Sequence, residues 1–335
     1  NNAGGSLTSA DNNVQVGYNS GAAISTGSSN VFVGENSAVS MNTGHSSVII
    51  GQSAGSSLTE AHSVIFIGQA AGDGHDTEAN NIGVGRAALG GSIAGGEKNT
   101  ALGNYTLDAL TSADSCVAVG YDALTNVTTG DANVAVGRLA GDKVTDETQS
   151  TYVGHGAGDD YTGSQSVMIG ALTRHHSSGD NEANAICIGY NVNTGRGNQV
   201  HLGNTSMTAI KGQVSFSTYS DERIKRDIVD GDLGLEFIEK LKPRKFKRKN
   251  PEEYADLFGE ANKTPIKDDE KENVFDGLIA QEVEAVCNEL GVSFSGHQVA
   301  YSSKQSIQYE TLTMPLIKAV QELSAQVTTL QQELK

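Results

Sequence analysis

A short motif recurs through the first 203 residues at a nearly constant spacing of 17 residues. It consists of an apolar residue, any residue, a second apolar residue and Gly, and it occurs twelve times. The motif glycines are Gly17, Gly34, Gly51, Gly68, Gly85, Gly103, Gly120, Gly137, Gly154, Gly170, Gly189 and Gly203. Twelve copies at one period indicate a repeat architecture, in which each copy forms the same unit and stacks on its neighbours.

Each repeat has the features of one coil of a parallel β-solenoid. A β-rich run ends in a glycine that permits a sharp turn, and a polar return loop completes the repeat. The residue three positions after the glycine is small in most copies, where the chain must pass closely. These small residues include Ala54, Ala71, Ala88, Ala123, Ala140 and Ala157. Twelve stacked strands at about 4.8 Å per strand predict a rod about 55 Å long.

The middle residue of most of these runs is also apolar, although strand side chains alternate between faces. Examples are Phe32, Ile49, Phe66, Ala101, Ala118, Ala135, Met168 and Cys187. We therefore expect both faces of the strands to be covered, one by the interior of the coil and the other by identical chains around an axis. The alternative is a single thicker solenoid that covers its own strands.

Composition excludes several classes of protein. The net charge of −17 disfavours nucleic acid and anionic membranes as partners. No apolar run approaches the length of a membrane span and no signal segment opens the chain, so we expect a soluble protein without membrane insertion. The chain starts at NNAGG without Met, which suggests a fragment or a processed end.

The cysteines and histidines predict no metal or cofactor site. Three widely spaced cysteines exclude a disulfide scaffold or a zinc site, and Cys116 and Cys187 lie in apolar runs that predict burial. His45 and His62 occupy equivalent places in successive coils, and His175 and His176 lie in a polar loop. A minor alternative is a metal bound by three copies of His201, if its strand position faces a threefold axis.

From Ser220 onward the pattern changes to mixed helix and strand, because this part holds all four Pro and only six of the 40 Gly. The segment LGLEFIEKL at 233–241 predicts a helix that Pro243 ends, followed by a basic strand in PRKFKRK. Residues 250–273 are charged and predict an exposed insertion, and 277–290 are again amphipathic.

The expected fold class is mainly β: a parallel β-solenoid rod that packs with identical chains, followed by a small α+β domain that ends in a coiled-coil helix. The expected domains are a repeat domain at 1–203, a connector at 204–219 and a C-terminal domain at 220–335 with its last helix at 307–335.

The last helix carries a heptad seam with spacings of 4, 3, 4, 3 and 4 residues. Its members are Leu316, Val320, Leu323, Val327, Leu330 and Leu334. Val at a and Leu at d is the pattern of two-stranded coils, and a seam this short is marginal alone. We interpret it as a zipper that helps to assemble chains already brought together, with an amphipathic helix packed in cis as the alternative.

Ser220 and Lys225 are the candidate catalytic pair, in the run TYSDERIKRDI. Ser220 precedes an acidic first turn and is typical of a helix N-cap, where free backbone N–H groups can hold an oxyanion. Lys225 lies just over one turn further on, and a lysine that burial keeps in its neutral form can take a serine proton. Taken alone, the spacing also fits a plain cap and a solvated charge.

The chain resembles known families in two places, and the second resemblance supports the assignment of Ser220 and Lys225 as a catalytic pair. The repeats SSVIIGQSA, HSVIFIGQAA and QSVMIGALT resemble the coils of the YadA-like head of trimeric adhesins, and NTALGNYTLDAL and NVAVGRLAG resemble repeats of phage tail fibres. The blocks KGQVSFSTYSDERIKRDI, FIEKLKPRKFKRK, GLIAQEVEAV and IQYETLTMPLIKAVQEL follow in order between residues 211 and 323. They resemble the intramolecular chaperone domain of phage tail fibres and spikes, the peptidase S74 family.

The first resemblance implies that the rod is a trimeric parallel β-solenoid or β-roll. The second implies a homotrimer in which three copies of the domain template the upstream fibre and then cut themselves off. It implies that Ser220 is the nucleophile, Lys225 the base and Tyr219–Ser220 the scissile bond of a single-turnover serine peptidase. Ile224, Arg226 and Asp227 depart mildly from the family pattern, outside the pair. No separate catalytic activity is expected of the solenoid.

These features together predict a host-recognition segment of a viral tail fibre, made in the host cytoplasm and located in the virion. Its expected partners are copies of itself and a host cell-surface receptor, either a glycan or a surface protein. A tailspike that depolymerises polysaccharide and carries the same chaperone is the alternative, as is a cellular trimeric adhesin. Tyr18, Tyr121 and Tyr190 each follow a motif glycine and form a possible sugar-stacking column.

Overall fold

The chain divides into two compact units, Asn1–Asn204 and Thr205–Lys335. The computed structural model describes residues 3–92, 94–159, 163–175, 183–194, 197–204, 206–207, 209–213, 217–250, 253–254, 271–299 and 304–335. The charged segment at 250–273 and the loop around His176 fall largely outside these residues, as do parts of the expected connector at 204–219.

The first unit is a parallel β-solenoid built on one twelve-stranded sheet. Its strands are β1 Val14–Val16, β2 Val31–Val33, β3 Val48–Ile50, β4 Ile65–Ile67, β5 Ile82–Val84, β6 Thr100–Leu102, β7 Val117–Val119, β8 Val134–Val136, β9 Thr151–Val153, β10 Val167–Ile169, β12 Ile186–Ile188 and β14 Val200–Leu202. The short strands β11 Arg174–His175 and β13 Asn193–Thr194 pair in a separate sheet. Each long strand pairs in parallel with the same residues of the next repeat, so the predicted solenoid is confirmed.

The middle residue of each strand points into its own coil. Phe32, Ile49, Phe66 and Ala118 are all completely buried there. The flanking aliphatic residues lie on the opposite face and remain half-buried or exposed, as Val117 and Val136 show. The alternative of a thicker solenoid that covers its own strands is therefore wrong for the residues described.

Glycine is required where one coil turns directly above the next. Gly120 has φ +133, and a Cβ at this position would lie 2.4 Å from the carbonyl oxygen of Gly137. The amide of Gly137 donates to the carbonyl of Val119 at 2.8 Å, which links successive coils. Because backbone meets backbone, no side-chain adjustment relieves such a contact. The small residue at the third position after the glycine, such as Ala123, is fully buried.

The second unit is a small α+β domain. It contains α1 Leu235–Lys240, α2 Ala280–Leu290 and α3 Thr313–Glu333, with two antiparallel pairs of strands. The pairs are β15 Arg244–Phe246 with β16 Phe275–Gly277, and β17 His297–Val299 with β18 Gln305–Ile307. A compact core forms where α1 and α2 meet around Phe237, Val283 and Phe294. The carboxylate of Glu322 on α3 accepts the backbone N–H of Leu235 at 2.7 Å, which caps α1.

The last helix starts later than the expected residue 307. Gln305–Ile307 is strand β18 and Tyr309–Leu312 is a 3₁₀ turn, so α3 begins at Thr313. The heptad seam on α3 is exposed, from 44% for Leu323 to 87% for Leu334. Packing of this seam in cis is therefore wrong for the described chain, and α3 buries Pro315 and Ala319 instead. No helix among the described residues is long and apolar enough to cross a membrane.

His75 interrupts an otherwise aliphatic interior column. Equivalent positions 17 residues apart hold Ile24, Met41, Leu58, Leu110, Val127 and Val144. The His75 ring is fully buried against Phe66, at 4.9 Å between centroids, and neither ring nitrogen makes a hydrogen bond of good geometry. Burial lowers the pKa of His75 to about 3, although the carboxylate of Asp76 opposes the shift. A buried ring whose nitrogens are so poorly hydrogen-bonded carries a desolvation cost.

We predict that His75→Leu stabilises the solenoid and reduces its sensitivity to acid. Between about pH 6.5 and pH 3 the unfolded chain binds a proton that the folded chain excludes, so the wild type loses stability as the pH falls through this window. Two pH units of this window correspond to about 3 kcal/mol at most. Denaturant unfolding at pH 7 and pH 4.5 measures the effect, with His155→Leu at an exposed site as control. Equal acid sensitivity of wild type and His75→Leu contradicts the prediction.

Candidate functional site

The segment Tyr219–Lys225 passes from extended chain into one 3₁₀ turn, Glu222–Ile224. Asp221, not Ser220, caps this turn: its carboxylate accepts the backbone N–H of Arg223 at 2.9 Å. The same carboxylate pairs with the Arg223 guanidinium, at 2.6 Å between Oδ2 and Nη2. The expectation that Ser220 is the cap is therefore wrong, because the carboxylate of the following residue, Asp221, accepts the free N–H of the turn instead.

The structure brings the two predicted catalytic side chains together. Lys225 Nζ donates to Ser220 Oγ at 2.7 Å, across five residues of chain. Lys225 is the first residue after the turn and has extended backbone, with φ −113 and ψ 150. The turn thus shortens the path between the two residues, and the Asp221–Arg223 pair lies inside it. The hydroxyl and the amino group are within the range of direct proton transfer.

The pair lies on an exposed surface of the described chain. Tyr219 is 95% exposed, and Ser220, Lys225 and their neighbours are also exposed. An ammonium in water donates to a hydroxyl and does not accept its proton. Lysines that act as bases are desolvated, because burial disfavours the charged form. The single chain therefore supplies the contact between the two groups but not the dry surroundings that the chemistry requires.

The chain around the pair contributes few interactions of its own. Arg226 and Asp227 form an exposed ion pair at 3.7 Å, which contributes little in water. Asp227 has φ +53, so the chain turns through the left-handed region directly after the pair. Ile224 and Ile228 are apolar and exposed, an arrangement that costs free energy unless another surface covers it.

The other predicted sites are not assembled. The imidazole rings of His45 and His62 stack at 3.9 Å on an exposed surface. His201 pairs with Cys187 in register and therefore occupies the strand position that points into the coil, so the premise of a metal on an outer axis fails. No group of three or more metal-ligating side chains occurs in the described part of the chain.

Two further predictions concern cysteines and tyrosines. Cys116 and Cys187 are buried as expected, and burial raises the pKa of the Cys116 thiol to about 11. Tyr18, Tyr121 and Tyr190 lie on coils too far apart to form one column, because about six coils separate the first two. Tyr121 instead meets Tyr105, which follows its motif glycine by two residues rather than one, edge to face at 5.8 Å.

Comparison with protein families identifies the region that carries the serine and the lysine. Residues 220–292 match the Peptidase_S74 family, described as the chaperone of endosialidase. The matched segment begins at Ser220, spans α1 and α2, and ends before β17, so the block at 307–323 lies outside it. Comparison with curated proteins and with solved structures gives no match.

Proposed function

We propose that this chain, whose residues 220–292 form a chaperone-of-endosialidase domain, is a segment of a homotrimeric viral tail fibre that cuts off its own chaperone. The observation that carries the proposal is the Ser220–Lys225 contact at the first residue of the matched domain. Cleavage before Ser220 releases the whole matched domain and leaves the solenoid unit on the other fragment. The mature fibre attaches the virion to a host surface.

The proposed reaction is an N-to-O acyl shift followed by hydrolysis. Neutral Lys225 takes the hydroxyl proton of Ser220, and Ser220 Oγ attacks the carbonyl carbon of Tyr219. The C–N bond breaks, the amine of Ser220 receives a proton, and Tyr219 is held as an ester. Water then hydrolyses the ester to give a carboxylate on Tyr219 and a free hydroxyl and amine on Ser220.

We propose that assembly of three chains completes this site. The pair is exposed in one chain, and the adjacent Ile224 and Ile228 are exposed apolar residues. Covering this segment with neighbouring chains buries the apolar side chains and removes water from Lys225. Proton transfer then becomes possible only after assembly, so cleavage occurs only once the fibre has formed.

The solenoid has a surface suited to the same assembly. Twelve three-residue strands present two outward positions each, and 22 of these 24 are Val, Ile or Leu. This outward face extends for about 53 Å along the sheet at the usual strand spacing. Parallel sheets are normally covered on both faces, and an apolar surface of this length is rare on a monomer.

A second copy is the occupant that fits this face best. The face repeats with the same spacing as the coils, so identical chains in register match at every coil. The exposed heptad seam on α3 offers a separate contact in the second unit. Parallel coils must meet in register, which is a slow process exposed to aggregation. A C-terminal domain that joins three chains raises their local concentration and aligns them.

Two alternatives share the C-terminal domain. A tailspike depolymerase requires turnover of host polysaccharide by the solenoid, and a cellular adhesin requires export and an anchor. Measured turnover of host glycans by residues 1–219 favours the depolymerase. Binding to cells without turnover favours the fibre.

We predict that the expressed chain cleaves itself into two fragments at Tyr219–Ser220. Ser220→Ala removes the nucleophile and is expected to leave a single uncut band on a denaturing gel. Lys225→Arg keeps the positive charge but not the base, because a guanidinium stays protonated in proteins, and is also expected to remain uncut. Mass spectrometry locates the new N-terminus.

Arg226→Gln is the matched control, since it removes a neighbouring exposed cation and is expected to cleave normally. Cleavage at any other bond refutes the assignment of the scissile bond. Cleavage by Ser220→Ala or Lys225→Arg refutes the assignment of the pair.

We predict that a charge on the outward sheet face prevents trimer formation. Val136→Glu places a carboxylate in the middle of this face, where identical chains would bring three charges together. Native mass spectrometry is expected to show trimers for wild type and monomers for the variant. Ser112→Glu, on an exposed loop position, adds the same charge elsewhere and is expected to remain trimeric. A trimeric Val136→Glu protein contradicts the proposed interface.

A further inference from the structure

The side chains directly after the motif glycines form one exposed column along the solenoid. In its central part this column holds Arg86, Asn104, Tyr121, Arg138 and His155, with no carboxylate among them. In the repeat of Gly103 the ring comes one position later, at Tyr105 instead of Asn104. We therefore define the Arg–Tyr column as Arg86, Tyr105, Tyr121, Arg138 and His155. Five successive coils contribute, so it is about 19 Å long.

Contacts between neighbouring coils order these side chains. The Arg86 guanidinium lies over the Tyr105 ring, 5.5 Å from its centroid. Tyr105 meets Tyr121 edge to face at 5.8 Å. Arg138 Nη1 donates to His155 Nε2 at 3.1 Å. The two guanidinium groups therefore contact aromatic rings, and both arginines are exposed.

The Arg–Tyr column carries positive charge in a domain that is mostly acidic. Residues 1–204 contain 18 acidic and six basic residues, yet two of those six and a histidine lie in this one column. Asp122 is the nearby carboxylate that interacts with Arg138, and burial raises the pKa of its carboxyl. Two cations that flank a pair of tyrosine rings on an acidic surface, with one of the rings exposed, indicate recognition of a ligand with both charge and rings.

We propose that the Arg–Tyr column binds a host glycan that carries carboxylates on its sugar rings. Tyr121, whose ring is 45% exposed, supplies a face for a sugar ring, and Arg86 and Arg138 on either side of the tyrosines supply planar donors for carboxylates. The surrounding acidic surface repels a densely charged polymer, which favours an oligosaccharide with spaced carboxylates over nucleic acid or an acidic peptide. The proposal rests on the host-attachment role above and names its ligand class.

Three probes separate the contribution of the sugar rings to binding from that of the carboxylates. An oligogalacturonate has rings and carboxylates, its methyl ester has rings without charge, and an oligoglutamate has carboxylates without rings. Calorimetry on the full chain after maturation is expected to detect oligogalacturonate binding at millimolar concentration or below. The methyl ester and the oligoglutamate are each expected to bind at least about tenfold more weakly.

Two matched pairs of variants locate the site. R86Q/R138Q is expected to weaken oligogalacturonate binding at least about tenfold, whereas K98Q/K143Q makes the same change in net charge outside the column and is expected to stay within about twofold. Tyr121→Ala is expected to weaken binding of both the oligogalacturonate and its ester. Tyr18→Ala removes an equally exposed ring about six coils away and is expected to have no effect.

Three outcomes overturn the proposal: no carboxylate-dependent binding, equal binding of the oligoglutamate, or equal losses in the two double variants. Cleavage at Ser220 is scored on the same preparations. A protein that cleaves and forms trimers but binds no acidic oligosaccharide refutes the glycan site alone. A protein that fails to cleave refutes the proposed function, whatever it binds.

Discussion

The direct stacking of one coil on the next is the constraint on which the rest of this structure depends. Each motif glycine turns with a backbone conformation that other residues rarely adopt, and in the first ten the carbonyl of the next motif glycine leaves no space for a side chain. That contact fixes the spacing between coils and aligns every strand with its neighbour. The residue-for-residue register between successive repeats follows from it, and so do the columns of equivalent positions along each face.

This register also creates the surface that drives assembly in our proposal. A three-residue strand has one inward residue and two outward ones, so a coil that fills its interior with one residue exposes the other two. Since most outward residues are aliphatic, the solenoid presents a continuous apolar face that its own chain leaves uncovered in the residues described. In the second unit, the seam on α3 and the Ser220–Lys225 pair are likewise exposed. In our account, neighbouring chains cover the apolar face of the solenoid, the seam and the pair.

Sequence patterns predicted what depends on local chemistry and periodicity. The strands, the solenoid and the positions of α1, α2 and β15 were all predictable from apolar spacing, Gly and Pro. The side of the sheet to which the middle residue points was not predictable, because both faces of these strands are apolar.

The N-cap was misassigned because Ser220 and Asp221 are both good caps and only the geometry selects Asp221. The start of α3 was misplaced because β18 pairs with β17, a contact that helical periodicity does not report. Tyr105 was missed because its repeat carries the ring one position later.

The central claim is that neighbouring chains complete the cleavage site, and the concentration dependence of cleavage tests it most directly. The initial rate of fragment formation is measured on refolding chains over a wide range of chain concentrations. Our account predicts that the fraction cut per unit time rises steeply with concentration and levels off once trimers form. A rate constant independent of concentration, down to concentrations at which only monomers are present, would contradict it.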